Sequence, residues 1–190
     1  IFVLKNIIIM KKVLDLTRII LVVSMTITFC NSCNNKQQTS DNVVSKSNEM
    51  RTEELIEANN QLYDGLNAMF NGNLEPLNDL WSHTDSITYM GPFGGCLKGW
   101  NEVNKEFKNV AAMKLGGKII CNDLHVYAGT DLGYTTCVEE GENIGPDGKL
   151  LSVSHRATNI FHLENGKWRL IHHHTDISSQ LEKAFDKEID

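Results

Sequence analysis

Three histidines, one aspartate and one asparagine fall at even spacings on either side of the dipeptide Asn165-Gly166. On one side stand His155 and Asn159; on the other stand His172, His174 and Asp176. Asn-Gly between two apolar, β-branched segments is a strong hairpin signal, because both central residues of a type I′ turn need positive φ. A two-residue turn fixes the register, and side chains alternate between the faces from there. One face then reads Leu163/Trp168, Phe161/Leu170, Asn159/His172, Ala157/His174 and His155/Asp176. Its apolar end must be core, and it turns polar midway. Polar groups on a core face must be hydrogen-bonded or line a cavity. If Gly145-Pro146-Asp147-Gly148 forms a four-residue turn, Tyr134, Thr136 and Val138 join this face. The same register sends His173 to the opposite face, toward solvent or an interface.

Several polar groups converging beside aromatic core have the composition of a small-molecule pocket. His172, His174, Asn159 and Tyr134 are the expected polar anchors, with Trp81, Tyr89 and Trp100 as walls. The same face could also move protons. His155 opposite Asp176 is an orienting pair in which the carboxylate fixes one ring nitrogen, and His174 is the other candidate base. A transition metal held by His172, His174 and His155 is a further option, since rings two apart on a strand project side by side. No nucleophile elbow, phosphate loop or cofactor motif is present, so no cofactor is expected.

The elements that would position these residues follow from periodicity. Thr52 to Asn71 carries apolar residues at helical spacing, and Glu75 to Trp81 is a short helix with Pro76 in its first turn. Ser86 to Met90 is a short strand, Gly91-Pro92-Phe93-Gly94-Gly95 a loop, and Gly99 to Ala112 a third helix. Lys118–Ala128, Leu132–Ile144, Leu150–Leu163 and Trp168–Ile177 are strands joined by short turns. Ser179 followed by Glu182 reads as a capping box for a closing helix, Leu181 to Ile189. Helices followed by a run of antiparallel strands mean an α+β domain, a curved sheet with helices on one side.

The chain of 190 residues holds one such domain, residues 49–177, followed by a C-terminal helix within 178–190. Lys11, Lys12 and Arg18 precede an apolar run from Ile19 to Phe29, the pattern of a secretory signal, with Met10 as the expected start. Ser32-Cys33 after that run matches a lipoprotein signal, so Cys33 would carry lipid and residues 34–48 would form a polar tether. The expectation is an exported protein anchored to a membrane of the periplasm or outer membrane. Setting aside Lys5, Lys11, Lys12, Arg18 and Asp15 leaves 14 basic against 23 acidic residues, out of totals of 18 and 24. An acidic domain without a basic run argues against nucleic acid as a partner. Cys96, Cys121 and Cys137 are odd in number and widely spaced, and which of them could pair stays open.

Three segments carry a family resemblance: Leu80-Trp81 through Ile87-Thr88-Tyr89-Met90-Gly91-Pro92-Phe93-Gly94-Gly95 to Gly99-Trp100, then Arg156-Ala157-Thr158-Asn159-Ile160-Phe161, then Gly166-Lys167-Trp168-Arg169-Leu170-Ile171-His172-His173-His174. Their order resembles the SnoaL-like group of the nuclear transport factor 2-like superfamily. The resemblance implies a cone: a bent antiparallel sheet closed by N-terminal helices around a deep cavity, often a homodimer through the outer face of the sheet. It implies no single activity, because the superfamily includes isomerases, cyclases, dehydratases and non-catalytic modules. The family's last strand often has Ser where this chain has Asp176. Three functions therefore compete: binding of a small, largely apolar molecule; isomerase- or cyclase-like proton transfer; and a non-catalytic dimerisation module whose cavity is filled by side chains.

Overall fold

The computed structural model describes residues 47–185. The expected signal, Cys33 and nearly all of the expected tether lie outside the described residues. Helix α1 spans residues 47–69, five residues further toward the N-terminus than the apolar pattern suggests, and takes in the last two positions assigned to the tether. Its buried stripe includes Leu55, Leu62, Leu66 and Met69. Gly72, at φ 89°, ends the turn that follows. Helix α2 (Glu75–Leu80) has Pro76 in its first turn. Strands β1 (Thr88–Met90) and β2 (Leu97–Lys98) lead into helix α3 (Gly99–Met113), which buries Val103, Phe107 and Val110. Then come β3 (Lys118–Ala128), β4 (Leu132–Ile144), β5 (Leu150–Glu164), β6 (Lys167–Thr175) and α4 (Ser179–Ala184).

The six strands form one sheet in the order β2-β1-β6-β5-β4-β3. All neighbours are antiparallel except β1 and β6, which are parallel. The helices cover the inner face. Where they meet it, Trp81, Tyr89 and Phe107 pack edge to face, with centroids 5.2–6.2 Å apart. Each such contact contributes roughly 1 kcal/mol beyond the area it buries. The helix expected from Leu181 instead starts at Ser179, and its cap is Ser178, whose hydroxyl accepts from the Leu181 amide at 3.3 Å.

Two register differences decide which side chains face inward. At the Asn165-Gly166 turn both residues have positive φ, 51° and 78°, and pairing runs as expected from Glu164/Lys167 to Phe161/Leu170. A β-bulge then intervenes. Ile160 pairs with His172, Asn159 with His173, Thr158 with His174 and Ala157 with Thr175. Ile171 is the extra residue, and every β6 side chain beyond it changes face. The unbulged register would bury two imidazoles and the Asp176 carboxylate. The bulged one buries His173 and Thr175 and leaves Asp176 at the surface, which removes fewer charged or polar groups from water.

The second difference lies at the β4–β5 turn. Ile144 pairs with Leu150, so five residues rather than four form the loop. That one-residue slip turns Tyr134, Thr136 and Val138 outward, and Gly133, Thr135, Cys137 and Glu139 inward.

Candidate functional site

Two rows of side chains cross the inner face. Register places Thr135, Asn159, His173 and Tyr89 side by side on four successive strands. The second row is Cys121, Glu139 and His155. Helix α1 lays Asn59 and Tyr63, one turn apart, over these rows. Thr135 Oγ1 donates to Asn59 Oδ1 at 2.7 Å. Asn159 Nδ2 donates to Asn59 Oδ1 at 3.2 Å and to Thr135 Oγ1 at 3.1 Å. With its amide nitrogen committed there, Asn159 turns Oδ1 toward His173 Nδ1, 2.6 Å away. The proton of His173 therefore sits on Nδ1, and Nε2 keeps its lone pair. Nε2 lies 4.0 Å from Glu139 Oε1. Tyr63 donates its hydroxyl proton to the same Glu139 oxygen at 3.2 Å.

Glu139 and His173 are 3% and 2% exposed. Burial pushes the Glu139 carboxyl up to about 8 and the His173 imidazole down to about 3. At neutral pH both are mainly uncharged, an acid facing a base across 4.0 Å. Tyr89 stacks on His173 with centroids 5.5 Å apart, and burial raises its phenol as well. Gly91 makes room for that phenol: a Cβ there would sit 2.2 Å from the Tyr89 hydroxyl.

Glu139, His173, Tyr89, His155 and Asn143 line a cavity whose other walls are apolar, including Phe70, Val110, Val153 and Leu181. Its free volume is about 30 Å³, room for one or two waters. Helix α4 closes it. Leu181 lines the cavity, Phe93 meets Phe185 edge to face at 6.3 Å, and the Ser178 amide donates to the Pro92 carbonyl at 2.8 Å.

Of the residues singled out from the sequence, His155 and Tyr89 line this cavity and Asn159 is buried in the network behind it. Trp81 is core, packed on Tyr89 and Phe107. Trp100 stacks on His83 at 4.2 Å, near the surface. His172 and His174 lie on the outer face, where His172 Nδ1 meets Thr88 Oγ1 at 2.6 Å. Burial, then the nearby His174, lowers the His172 imidazole. Tyr134 is on the outer face too, stacked on Tyr127 at 5.4 Å. Asp176 does not orient His155. Arg156 takes it in a two-pronged salt bridge, Nε to Oδ2 at 2.9 Å and a terminal nitrogen to Oδ1 at 3.0 Å, and holds its carboxyl down at about 2. His155 is lowered chiefly by burial. The sheet therefore separates His155 from His172 and His174, and the three cannot share a metal. Among the described residues no group of three or more His, Cys, Asp and Glu is placed to hold one.

Glu139, Tyr63, Asn59 and Thr135 were not singled out for the site, and His173, read from the sequence as facing solvent or an interface, is buried in the network because the bulge at Ile171 turns it inward. A usable signal was the pair Asn59 and Tyr63, at helical spacing on the apolar stripe of α1, which implies polar partners on the sheet below.

The SnoaL-like domain pattern matches residues 56–178, well over half the chain. The chain belongs to the SnoaL-like domain family. No curated protein sequence matches it. Among solved structures, this SnoaL-like chain is similar to a candidate dehydratase of the nuclear transport factor 2-like family from Streptomyces avermitilis. The two are 25% identical with a TM-score of 0.61, over 70% of this chain and 99% of that one. A nuclear transport factor 2-like superfamily protein from Salmonella enterica serovar Typhimurium shares the fold at 12% identity and TM-score 0.60, over 69% and 93%. So does the association domain of C. elegans CaMKII, at 15% and 0.54, over 68% and 98%.

Proposed function

We propose that this SnoaL-like domain binds a small, neutral, largely apolar molecule against Glu139, His155 and His173, and that Glu139 exchanges a proton with it. The observation that carries the reading is the Glu139 carboxyl itself. It is buried with no Lys or Arg among the cavity-lining residues, beside an imidazole whose Nε2 is free to accept. A structural network gains nothing from an acid whose ionisation its own burial opposes, whereas proton transfer favours a pKa near the working pH. The absence of a lining cation also disfavours carboxylate and phosphate ligands. The Streptomyces relative's name, a candidate dehydratase, is in keeping with this chemistry. In such a reaction the minority of Glu139 that is ionised near neutrality, a fraction that grows toward pH 8, takes a proton from carbon, and the resulting acid returns it to the departing hydroxyl, which leaves as water. Tyr63, which donates to Glu139 Oε1 at 3.2 Å, positions the carboxyl, and His173 faces it across 4.0 Å as a second polar contact for the ligand.

The free volume of about 30 Å³ is far below the roughly 300 Å³ or more of a ligand pocket. Side chains fill most of the cone, as the dimerisation-module alternative expects, so under the binding reading a ligand must displace Leu181 and α4. A thermal-shift panel of small cyclic enones and alcohols tests this. A binder present at 100 times its Kd adds about 2.7 kcal/mol of stability. That gain should vanish in His173→Ala and persist in the double variant His172→Ala/His174→Ala. If no compound shifts either the wild type or Leu181→Ala, whose plug is smaller, the cavity is only core.

The outer face supports self-association as well. Tyr127, Tyr134, Ile120 and Leu132 are 58%, 46%, 46% and 49% exposed on neighbouring strands, and solved relatives of this fold include association domains. A second copy docking sheet to sheet would cover them. Sedimentation equilibrium should show a dimer that Tyr134→Lys converts to monomer. A wild-type monomer at high micromolar concentration overturns this.

A further inference from the structure

The row that places Glu139 opposite His155 has a third member, Cys121, whose chemistry the proposed function does not use. Cys121 is partly exposed, while Cys137, two residues before Glu139 on β4, is buried. The Asn59 amide donates to the Cys121 sulfur at 3.6 Å. Cys137 is its diagonal neighbour on the same face, on β4, since Cys121 pairs with Glu139, and the Cys137 and Tyr63 side chains add to the Asn59 donor in favouring its thiolate. Tyr63 lies 2.9 Å from the Cys137 sulfur on the far side. The three form a relay: when the Cys137 proton points to Cys121, the Tyr63 hydroxyl is left to donate to Cys137 or to Glu139. Directed donors of this kind favour the thiolate. The Cys137 hydrogen bond, ahead of that from Asn59, brings the Cys121 thiol down to about 7, while Cys137 is raised. The facing carboxyl, Glu139, is held mainly protonated near neutrality and so adds little repulsion.

We infer that Cys121 and Cys137 are an oxidisable thiol pair, with Cys121 as the nucleophile toward a hydroperoxide and Cys137 as the resolving thiol. The Cys121 thiolate attacks the terminal peroxide oxygen. The O–O bond breaks, and the alkoxide leaves as an alcohol after taking a proton. Cys121 is now a sulfenic acid. Cys137 attacks its sulfur, the S–O bond breaks, and water departs. Two thiols and one hydroperoxide thus give one disulfide, one alcohol and one water. The β3 bulge between Asn122 and His125, where Asp123 takes φ 51°, lies beside Cys121, so the regular ladder is already interrupted where the diagonal pair would close.

The test uses the full chain, with Cys30 and Cys33 replaced by Ser, treated with hydrogen peroxide and mapped by peptide mass. Expected are a reductant-reversible Cys121–Cys137 cross-link and oxidation of Cys121 at least about tenfold faster than of the exposed Cys96. Cys137→Ser should instead accumulate a Cys121 sulfenic acid that dimedone traps. Mapping on the unsubstituted pair stands even if Cys137→Ser fails to fold. Oxidation of Cys121 no faster than of Cys96, or the absence of the cross-link, overturns the inference. Neither outcome bears on ligand binding by His173.

Discussion

Glu139→Gln gains stability over the wild type as pH rises, by on the order of 5 kcal/mol between pH 4.5 and 8. In the folded protein Glu139 holds its proton up to about pH 8, against an ordinary value of 4.5. Below 4.5 both folded and unfolded chains are protonated there, and burial of the neutral acid costs little. Between 4.5 and 8 the unfolded chain releases the proton and the folded chain keeps it, so folding becomes less favourable with each pH unit by about 1.4 kcal/mol. Gln is neutral throughout and accepts the same hydrogen bond from Tyr63. His173 acts in the opposite direction. Its folded value of about 3 lies below the ordinary 6.5, so stability falls as pH drops through that range. The two slopes cancel between 4.5 and 6.5 in the wild type and leave a plateau. In the variant only the histidine slope remains, and acid destabilisation begins near 6.5 rather than near 4.5. Urea denaturation at pH 5, 6.5 and 8, with thiols reduced, gives both curves. A difference between variant and wild type that does not change with pH would refute the buried-acid account.

Gly141→Ala is expected to destabilise the fold by roughly 3 kcal/mol or more. Gly141 sits in β4 with φ 151°, at the limit of what a residue with a side chain adopts. A Cβ there would lie 2.0 Å from the Lys118 carbonyl oxygen and 2.9 Å from the Ile119 Cα. Both are backbone atoms of β3, so no rotamer change relieves the contact. The strands must part next to the row that holds Cys121 and Glu139. Ala at Gly148, which has φ 78° but open space around its Cβ position, controls for positive-φ strain and lost glycine flexibility without the backbone clash. A shift in the denaturation midpoint of Gly141→Ala no larger than that of Gly148→Ala would mean that β3 yields freely.

Most of the fold was legible because its signals are local. The α1 stripe, Pro76 in α2, the β3 and β4 bounds and the Asn165-Gly166 turn each follow from a few neighbouring residues. The site was half legible. His155, Asn159 and Tyr89 lie before the bulge or outside β6, and the pattern placed them inward. His172, His174 and Tyr134 were lost to two single-residue events, the extra Ile171 and the fifth residue of the 145–149 loop. Both depend on total burial rather than on turn chemistry: a bulge appears where the unbulged strand would bury Asp176 and two imidazoles. Glu139 was hidden for a related reason. Next to Glu140, it reads as one of two surface acids until β4 has a phase. β2, two residues long and paired only with β1, carries no periodicity to detect.

The bulge at Ile171 also bears on how this hairpin should be compared with those of relatives. Three consecutive histidines look like one feature, yet the pleat assigns them to opposite sides, and their phase is set by one residue upstream. A relative lacking that residue could keep its inward ring beside the same asparagine. Matched column by column without a gap, its inward histidine would fall opposite an outward one here. Homology at this site is therefore better traced from β5, by which β6 residue faces Asn159, than by counting histidines along β6.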